Sequence, residues 1–182
     1  MKKAYLILAQ GFELIEAMTP LDVLKRAGVE VTTISIGNGP EVASSQGIEV
    51  KADTLFESDS FRDGDLLILP GGYPGYENIG NHKKVMDLAA YYLNNNKYLG
   101  AICGAPSALA KARLIDGRRV TAHFTVKDLL RDSHYVDEKV VVDGNLITST
   151  GAGRSLDFAL ILGEVLKDQK NMEKVKKGMT LI

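Results

Sequence analysis

The chemistry open to this chain centres on Cys103, its only cysteine. The segment Tyr98-Leu99-Gly100-Ala101-Ile102-Cys103-Gly104-Ala105-Pro106 begins as an apolar run of the kind a buried parallel strand shows. It ends in a proline that fits a helix only near the first turn. A helix is therefore predicted to begin at about Gly104, with Cys103 on the elbow. Small neighbours allow a tight bend and the close approach of a ligand. Unpaired N–H groups at a helix start favour negative charge. A thiol there is expected to ionise below its reference of about 8.5, and the thiolate is the reactive form. A free cysteine is ordinarily a small buried hydrophobe. The elbow argues for more, because strand-to-helix turns recur as seats for nucleophiles. The Gly-x-Ser-x-Gly pattern is not met, since Ala105 follows Gly104.

Partners for a thiol are carboxylates, imidazoles and backbone donors. Glu16 lies after the first apolar run, and a carboxyl near a thiolate can bond it when protonated or carry a proton during turnover. Glu13 competes for that role on sequence grounds; either could be a plain exposed acid. His123 ends the run Arg119-Val120-Thr121-Ala122 and could be a general base or acid, or a hydrogen-bonded strand-end histidine. His82 and His134 sit in polar stretches and read as surface residues. Gly71 and Gly72 end an apolar run; their N–H groups, with that of Gly104, could form an oxyanion hole. Gly151-Ala152-Gly153-Arg154-Ser155 looks like a phosphate loop but matches neither nucleotide-binding pattern. No His, Asp or Glu cluster has metal-ligand spacing, so no metal is expected.

Alternating elements must position these groups. Strands are predicted at Tyr5–Ala9, Val29–Ile36, Leu66–Leu69, Leu99–Ile102, Arg119–Ala122, Val140–Val142 and Leu146–Ser149, with short ones around Val42 and Ile48. Asp143-Gly144 marks a hairpin turn between the last two main strands. Thr19-Pro20-Leu21-Asp22 reads as N-cap, N1 proline and an acidic N3, opening a helix that ends at Ala27-Gly28. Val85, Leu88, Ala89, Tyr92 and Leu93 fall on one helical face. Ser155 could cap a final long helix. Short runs that are apolar on both faces, alternating with helices, predict a mostly parallel sheet covered on both sides. Ligands bind such sheets at the carboxyl ends of the strands. Four features fall there: Gln10–Glu16, Pro70-Gly71-Gly72, Cys103-Gly104 and Ala122-His123.

At 182 residues the chain is large enough for one ordinary domain with a real core. Hydrophobic residues at 45% and charged residues at 25% are ordinary for a soluble protein. A net charge of −1 supplies no field for nucleic acid or membrane, and neither partner is expected. One cysteine excludes an internal disulfide and a cysteine-rich zinc site, and fits a reducing compartment. The apolar stretch after Met1-Lys2-Lys3 is too short for a signal peptide, and no run could span a bilayer. A cytoplasmic location is expected.

The segments Ala9-Gln10-Gly11-Phe12-Glu13-Leu14-Ile15-Glu16, Leu67-Ile68-Leu69-Pro70-Gly71-Gly72, Ala101-Ile102-Cys103-Gly104-Ala105-Pro106 and Val120-Thr121-Ala122-His123 together resemble the ThiJ/PfpI superfamily. The nearest branch is that of the human parkinsonism-associated protein and its bacterial relatives. The resemblance runs from about Lys3 to Gly163. It implies one class I glutamine amidotransferase-like domain over 1–182, folded as a flavodoxin-like three-layer α/β sandwich and pairing as a homodimer. It also implies a low-pKa elbow cysteine at Cys103, with Glu16 rather than Glu13 bonding its sulfur. The Gly72 and Gly104 amides would be oxyanion donors, His123 the pocket histidine, and Arg26 a residue near the dimer interface. No cofactor is implied. The implied activity is that of a glutathione-independent glyoxalase or protein deglycase, acting on 2-oxoaldehydes such as methylglyoxal or on glycated protein. The alternative is an oxidative-stress sensor or redox chaperone working through oxidation of Cys103. The protease branch has histidine directly after the cysteine; Gly104 stands there, which argues against proteolysis. Phe124 departs from a proline common in relatives and would change the pocket wall.

Overall fold

Alternation along the first strand sets the layers. In β1 (Lys3–Leu8) Leu6 and Leu8 join one buried cluster, while Tyr5 and Ile7 join another. That is the two-residue period of a strand buried on both faces. The computed structural model describes residues 1–57 and 60–182. After β1 come α1 (Leu14–Arg26), β2 (Glu30–Ser35), β3 (Glu41–Ala43), β4 (Glu49–Lys51), β5 (Thr54–Leu55) and β6 (Leu66–Leu69). Then follow α2 (Gly75–Asn81), α3 (Lys83–Asn94), β7 (Tyr98–Ile102), α4 (Ala105–Lys111), β8 (Arg119–Val120) and β9 (His134–Tyr135). The chain closes with β10 (Val140–Asp143), β11 (Leu146–Ser149), α5 (Ser155–Leu166) and α6 (Gln169–Gly178).

The main sheet has the order β10-β11-β7-β6-β1-β2-β5. Every pairing in it is parallel except β10 with β11. That antiparallel pair is the hairpin expected at Asp143-Gly144, with Gly144 at φ 59° in the turn. Helices α1, α5 and α6 cover one face, and α2, α3 and α4 the other: the mostly parallel, doubly covered sheet that the alternation predicts, and the flavodoxin-like α/β sandwich that the resemblance implies. The chain runs from β1 outward to β2, then crosses back to β6 on the other side of β1. The carboxyl ends of β1 and β6 therefore flank a topological switch point, where such sheets open a crevice.

Four local expectations need correction. The first helix begins at Leu14, not at Thr19: the Glu13 side chain accepts the Glu16 amide at 2.7 Å and caps it, and Pro20 lies inside the helix. The sequence rule reads proline as an early-turn marker, but here the buried face continues through it. The predicted Arg119–Ala122 strand shortens to β8 and leaves the main sheet, pairing instead with β9. Ser155 is the first residue of α5 and gives it no side-chain cap. Residues after Leu166 form a separate helix, α6, and α2 follows the Pro70-Gly71-Gly72 turn; both were absent from the sequence reading.

Candidate active site

The elbow forms as the sequence requires. Cys103 takes φ 63°, a left-handed conformation that residues other than glycine rarely adopt. Such strain persists where the surrounding fold imposes it. Its amide donates to the Ser149 carbonyl of β11 at 2.9 Å, and Gly104 opens α4. The amides of Gly72 and Gly104 lie beside the Cys103 sulfur and favour its ionised form. Tyr76 closes over Gly104: a Cβ on that glycine would lie 2.7 Å from Tyr76 Cε1.

Glu16 reaches the same point from the first turn of α1. It is 1% exposed, an unusual place for a carboxyl unless its oxygens are partnered. Oε2 accepts the Gly71 amide at 2.9 Å. The Ala152 amide also donates to the carboxyl, and the Cys103 thiol shares a hydrogen bond with it. Burial pushes Glu16 up to about 7, against the lowering effects of its bonds to Cys103, Gly71 and Ala152; the nearby Glu13 charge adds to the rise.

The thiol does not follow from the helix start alone. Burial, the charge of the Glu16 carboxylate and the hydrogen bond to it push Cys103 up to about 12. The Gly72 and Gly104 amides pull it down but are outweighed. The expectation of a freely ionised thiol thus fails while Glu16 carries its charge. Protonating Glu16 removes both the repulsion and the acceptor for the thiol proton. Above a pH of about 7 the pair holds one proton between sulfur and carboxyl.

His123 arrives by another route. Its amide donates to the Cys103 carbonyl at 2.9 Å, and the amide of Thr121 bonds Thr148 Oγ1 of β11 at 2.9 Å. These ties replace the main-sheet strand that the sequence suggested. Its Nδ1 pairs with Thr125 Oγ1 at 2.8 Å. A methyl group on Gly151 would lie 3.4 Å from His123 Cδ2, 3.7 Å from Glu16 Oε1 and 3.9 Å from Cys103 Cβ. The three expected side chains therefore converge on one point beside Gly151. A cleft of about 520 Å³ opens on the His123 side of Gly151, walled by His123, Phe124, Tyr135, Gly151 and Arg154 among others, with Cys103 and Glu16 behind its lining. Phe124 is 76% exposed and packs on the His123 ring at 4.3 Å between centroids, so the departure noted in sequence does lie on the pocket wall.

Sequence reasoning gave Gly71 the wrong role and missed that of Ala152. Gly71 serves Glu16, not an oxyanion hole, and Ala152 does the same from the loop that resembled a phosphate loop. The visible signal was a small-residue run directly after a buried strand. Glu13 does not compete for the sulfur, since its carboxyl is spent on the α1 cap and on Gln46. His82 is a half-buried cap of α3, its Nδ1 accepting the Val85 amide at 3.3 Å, and so is not a plain surface residue; His134 is exposed. Arg26 lies roughly 15 Å beyond Glu16 along α1 at 1.5 Å per residue, ion-paired with Asp22 at 2.8 Å. Among the described residues no group of three metal-ligating side chains could hold an ion, and no helix is long and apolar enough to cross a membrane.

The model of the DJ-1/PfpI family matches residues 2–165. The chain belongs to that family. The DJ-1beta protein of Drosophila melanogaster is 37% identical over 98% of this chain and 96% of its own. Its crystal structure superposes with a TM-score of 0.94 at 36% identity, covering 98% of this chain and 97% of that one. A family member from Caenorhabditis elegans, named glutathione-independent glyoxalase DJR-1.2, is 31% identical over 99% of this chain and 97% of its own. The structure named Toxoplasma gondii DJ-1, oxidized, has a TM-score of 0.91 at 28% identity, covering 99% of this chain and 98% of that one. The DJ-1/PfpI fold thus accounts for nearly the whole chain.

Proposed function

We propose that this protein is a cysteine-dependent glyoxalase that converts 2-oxoaldehydes such as methylglyoxal to 2-hydroxy acids without glutathione. The observation that carries the reading is the buried Glu16 carboxyl set against the Cys103 thiol, with Gly71 packed on both side chains and the amides of Gly72 and Gly104 beside the sulfur. In this reading the Cys103 thiolate adds to the aldehyde carbon, and the proton of the pair stays on Glu16. The resulting oxyanion is held by the Gly72 and Gly104 amides. Glu16 gives its proton to that oxyanion and, now a carboxylate, takes the proton from the former aldehyde carbon and returns it to the neighbouring carbonyl carbon by way of an enediol, while the hydroxyl proton passes to the neighbouring oxygen. That leaves a thioester of the 2-hydroxy acid. Water hydrolyses it, releasing the acid and restoring the thiol. The net change is addition of one water to the oxoaldehyde. His123, on the cleft wall, orients substrate or water. The adducts that such aldehydes form on proteins are a second substrate class of the same chemistry. A relative named as a glutathione-independent glyoxalase supports the reading.

Sensing by oxidation is the second reading, favoured by the relative whose structure is named as oxidized. Two equivalents of peroxide would take the thiolate to sulfinate with release of two waters, and the same amides and the Glu16 carboxyl would bond its oxygens. A turnover assay with methylglyoxal, lacking glutathione, separates the two. Turnover in wild type that vanishes in Cys103→Ala supports the enzyme. No turnover, with a single stable sulfinate at Cys103, supports the sensor.

The same family reading extends to assembly as a homodimer, with Arg26 near the partner. Ile15 and Ile48 are 52% and 50% exposed, apolar surface that a partner would cover.

A further inference from the structure

We propose that Glu13, held by Gln46, is a positioning residue that shifts the shared proton of the Glu16–Cys103 pair toward the carboxyl. Three bonds fix it. Glu13 Oε2 accepts the Glu16 amide at 2.7 Å, so it caps the helix turn that carries Glu16. Glu13 Oε1 accepts Gln46 Nε2 at 3.2 Å, and Gln46 Oε1 accepts the Leu14 amide at 3.3 Å. Gln46 lies between β3 and β4, a hairpin that is itself strapped to the loop after β1. The Ser45 amide donates to the Phe12 carbonyl at 2.8 Å, and the Ala43 amide donates to Gln10 Oε1 at 2.9 Å.

The consequence is electrostatic. The groups facing Glu16 are Cys103 from the β7–α4 elbow, His123 from the segment after β8, Glu13 from its own helix start, and the amides of Gly71 and Ala152. Of these, Glu13 is the one whose charge opposes ionisation of Glu16, and it acts in the same direction as burial. Gln46 is neutral, so it orients the Glu13 carboxylate without cancelling its charge. A proton kept on Glu16 leaves more of the pair in the thiolate form. Above the titration of Glu16 the ratio of thiolate–acid to thiol–carboxylate no longer depends on pH, because both forms hold one proton. Reactivity of Cys103 should therefore rise with pH and then level off near the Glu16 value of about 7.

The test is the rate of iodoacetamide alkylation of Cys103 against pH, on the full chain. Glu13→Gln keeps an oxygen for the helix cap but removes the charge. The bend is expected to move down by about half a pH unit to one unit, and the plateau rate to fall about 3- to 10-fold. Glu13→Asp, which restores the charge, should bring the bend back toward wild type. Gln46→Ala, an exposed change that frees the Glu13 side chain, should shift the bend in the same direction by less. A bend that stays in place in Glu13→Gln and in Gln46→Ala overturns the proposal, as does a wild-type profile with no bend. The link to catalysis rests on the glyoxalase reading, and the two fail separately. A shifted bend in a protein that never turns over methylglyoxal upholds the role of Glu13 and removes the enzyme. Turnover with an unmoved bend does the reverse.

Discussion

His123 is joined to Cys103 main chain to main chain: its amide donates to the Cys103 carbonyl at 2.9 Å, while its Nδ1 is occupied by Thr125 Oγ1 at 2.8 Å. Removing the imidazole leaves the backbone tie intact. His123→Ala is therefore expected to keep the elbow and lower methylglyoxal turnover by less than about 10²-fold, below the usual range for loss of a general base. Steady-state kinetics checks this, and a larger loss would make the histidine the proton carrier.

Glu16→Gln should behave differently. An amide cannot take up and return a proton, so turnover is expected to fall by about 10²–10⁴-fold. Cys103 should stay nucleophilic, since the carboxylate charge that pushes the thiol up is gone. Its alkylation rate should rise through neutral pH with no bend near 7. Cys103→Ala should have no turnover, because no covalent adduct can form. Residual activity in that variant would refute the site.

Stability should also carry the mark of Glu16. Its folded value of about 7 lies above the ordinary 4.5, so the folded protein binds the proton more tightly than the unfolded chain. The contribution is fully present below about 4.5, and it is lost as pH rises through about 7. A shift of that size corresponds to something on the order of 3 kcal/mol. Urea unfolding between those limits should show wild type losing stability relative to Glu16→Gln as pH rises. Parallel curves would deny the shift.

Gly71 tests the packing that brings the pair together. A Cβ there would lie 2.6 Å from both Cys103 Cβ and Glu16 Oε2. Gly71→Ala is expected to cost about 1–3 kcal/mol and to lower the melting temperature by several degrees. Methylglyoxal turnover should fall as well, because both side chains must move. An unchanged melting curve with full turnover would show that the site has slack.

For assembly, light scattering at micromolar concentration should return twice the chain mass, and Arg26→Ala should raise the dissociation constant. A monomer in wild type would reject the pairing.

The layers of this fold were legible because burial on both faces writes itself into short apolar runs. Leu66–Leu69 and Tyr98–Ile102 are buried strands for the same reason that they read as such. The elbow at Cys103 was legible too, since Gly104 allows the tight bend and Pro106 confines the helix start. Other features depend on residues distant in sequence. The start of α1 is set by a glutamate cap that resembles any loop acid, so Pro20 misplaced it. His123 reaches the site through bonds to Cys103 and Thr148 and not through the strand that its neighbours suggested. The proton affinity of the thiol was the largest reversal. A helix start can be read from local sequence, but the sign of the shift came from a carboxylate 87 residues away in the chain, buried against the sulfur and held by the Gly71 and Ala152 amides. Sequence determined which groups were present and which strands would carry them; only folding decided their separation and burial, and those are what set the strength of a charge interaction.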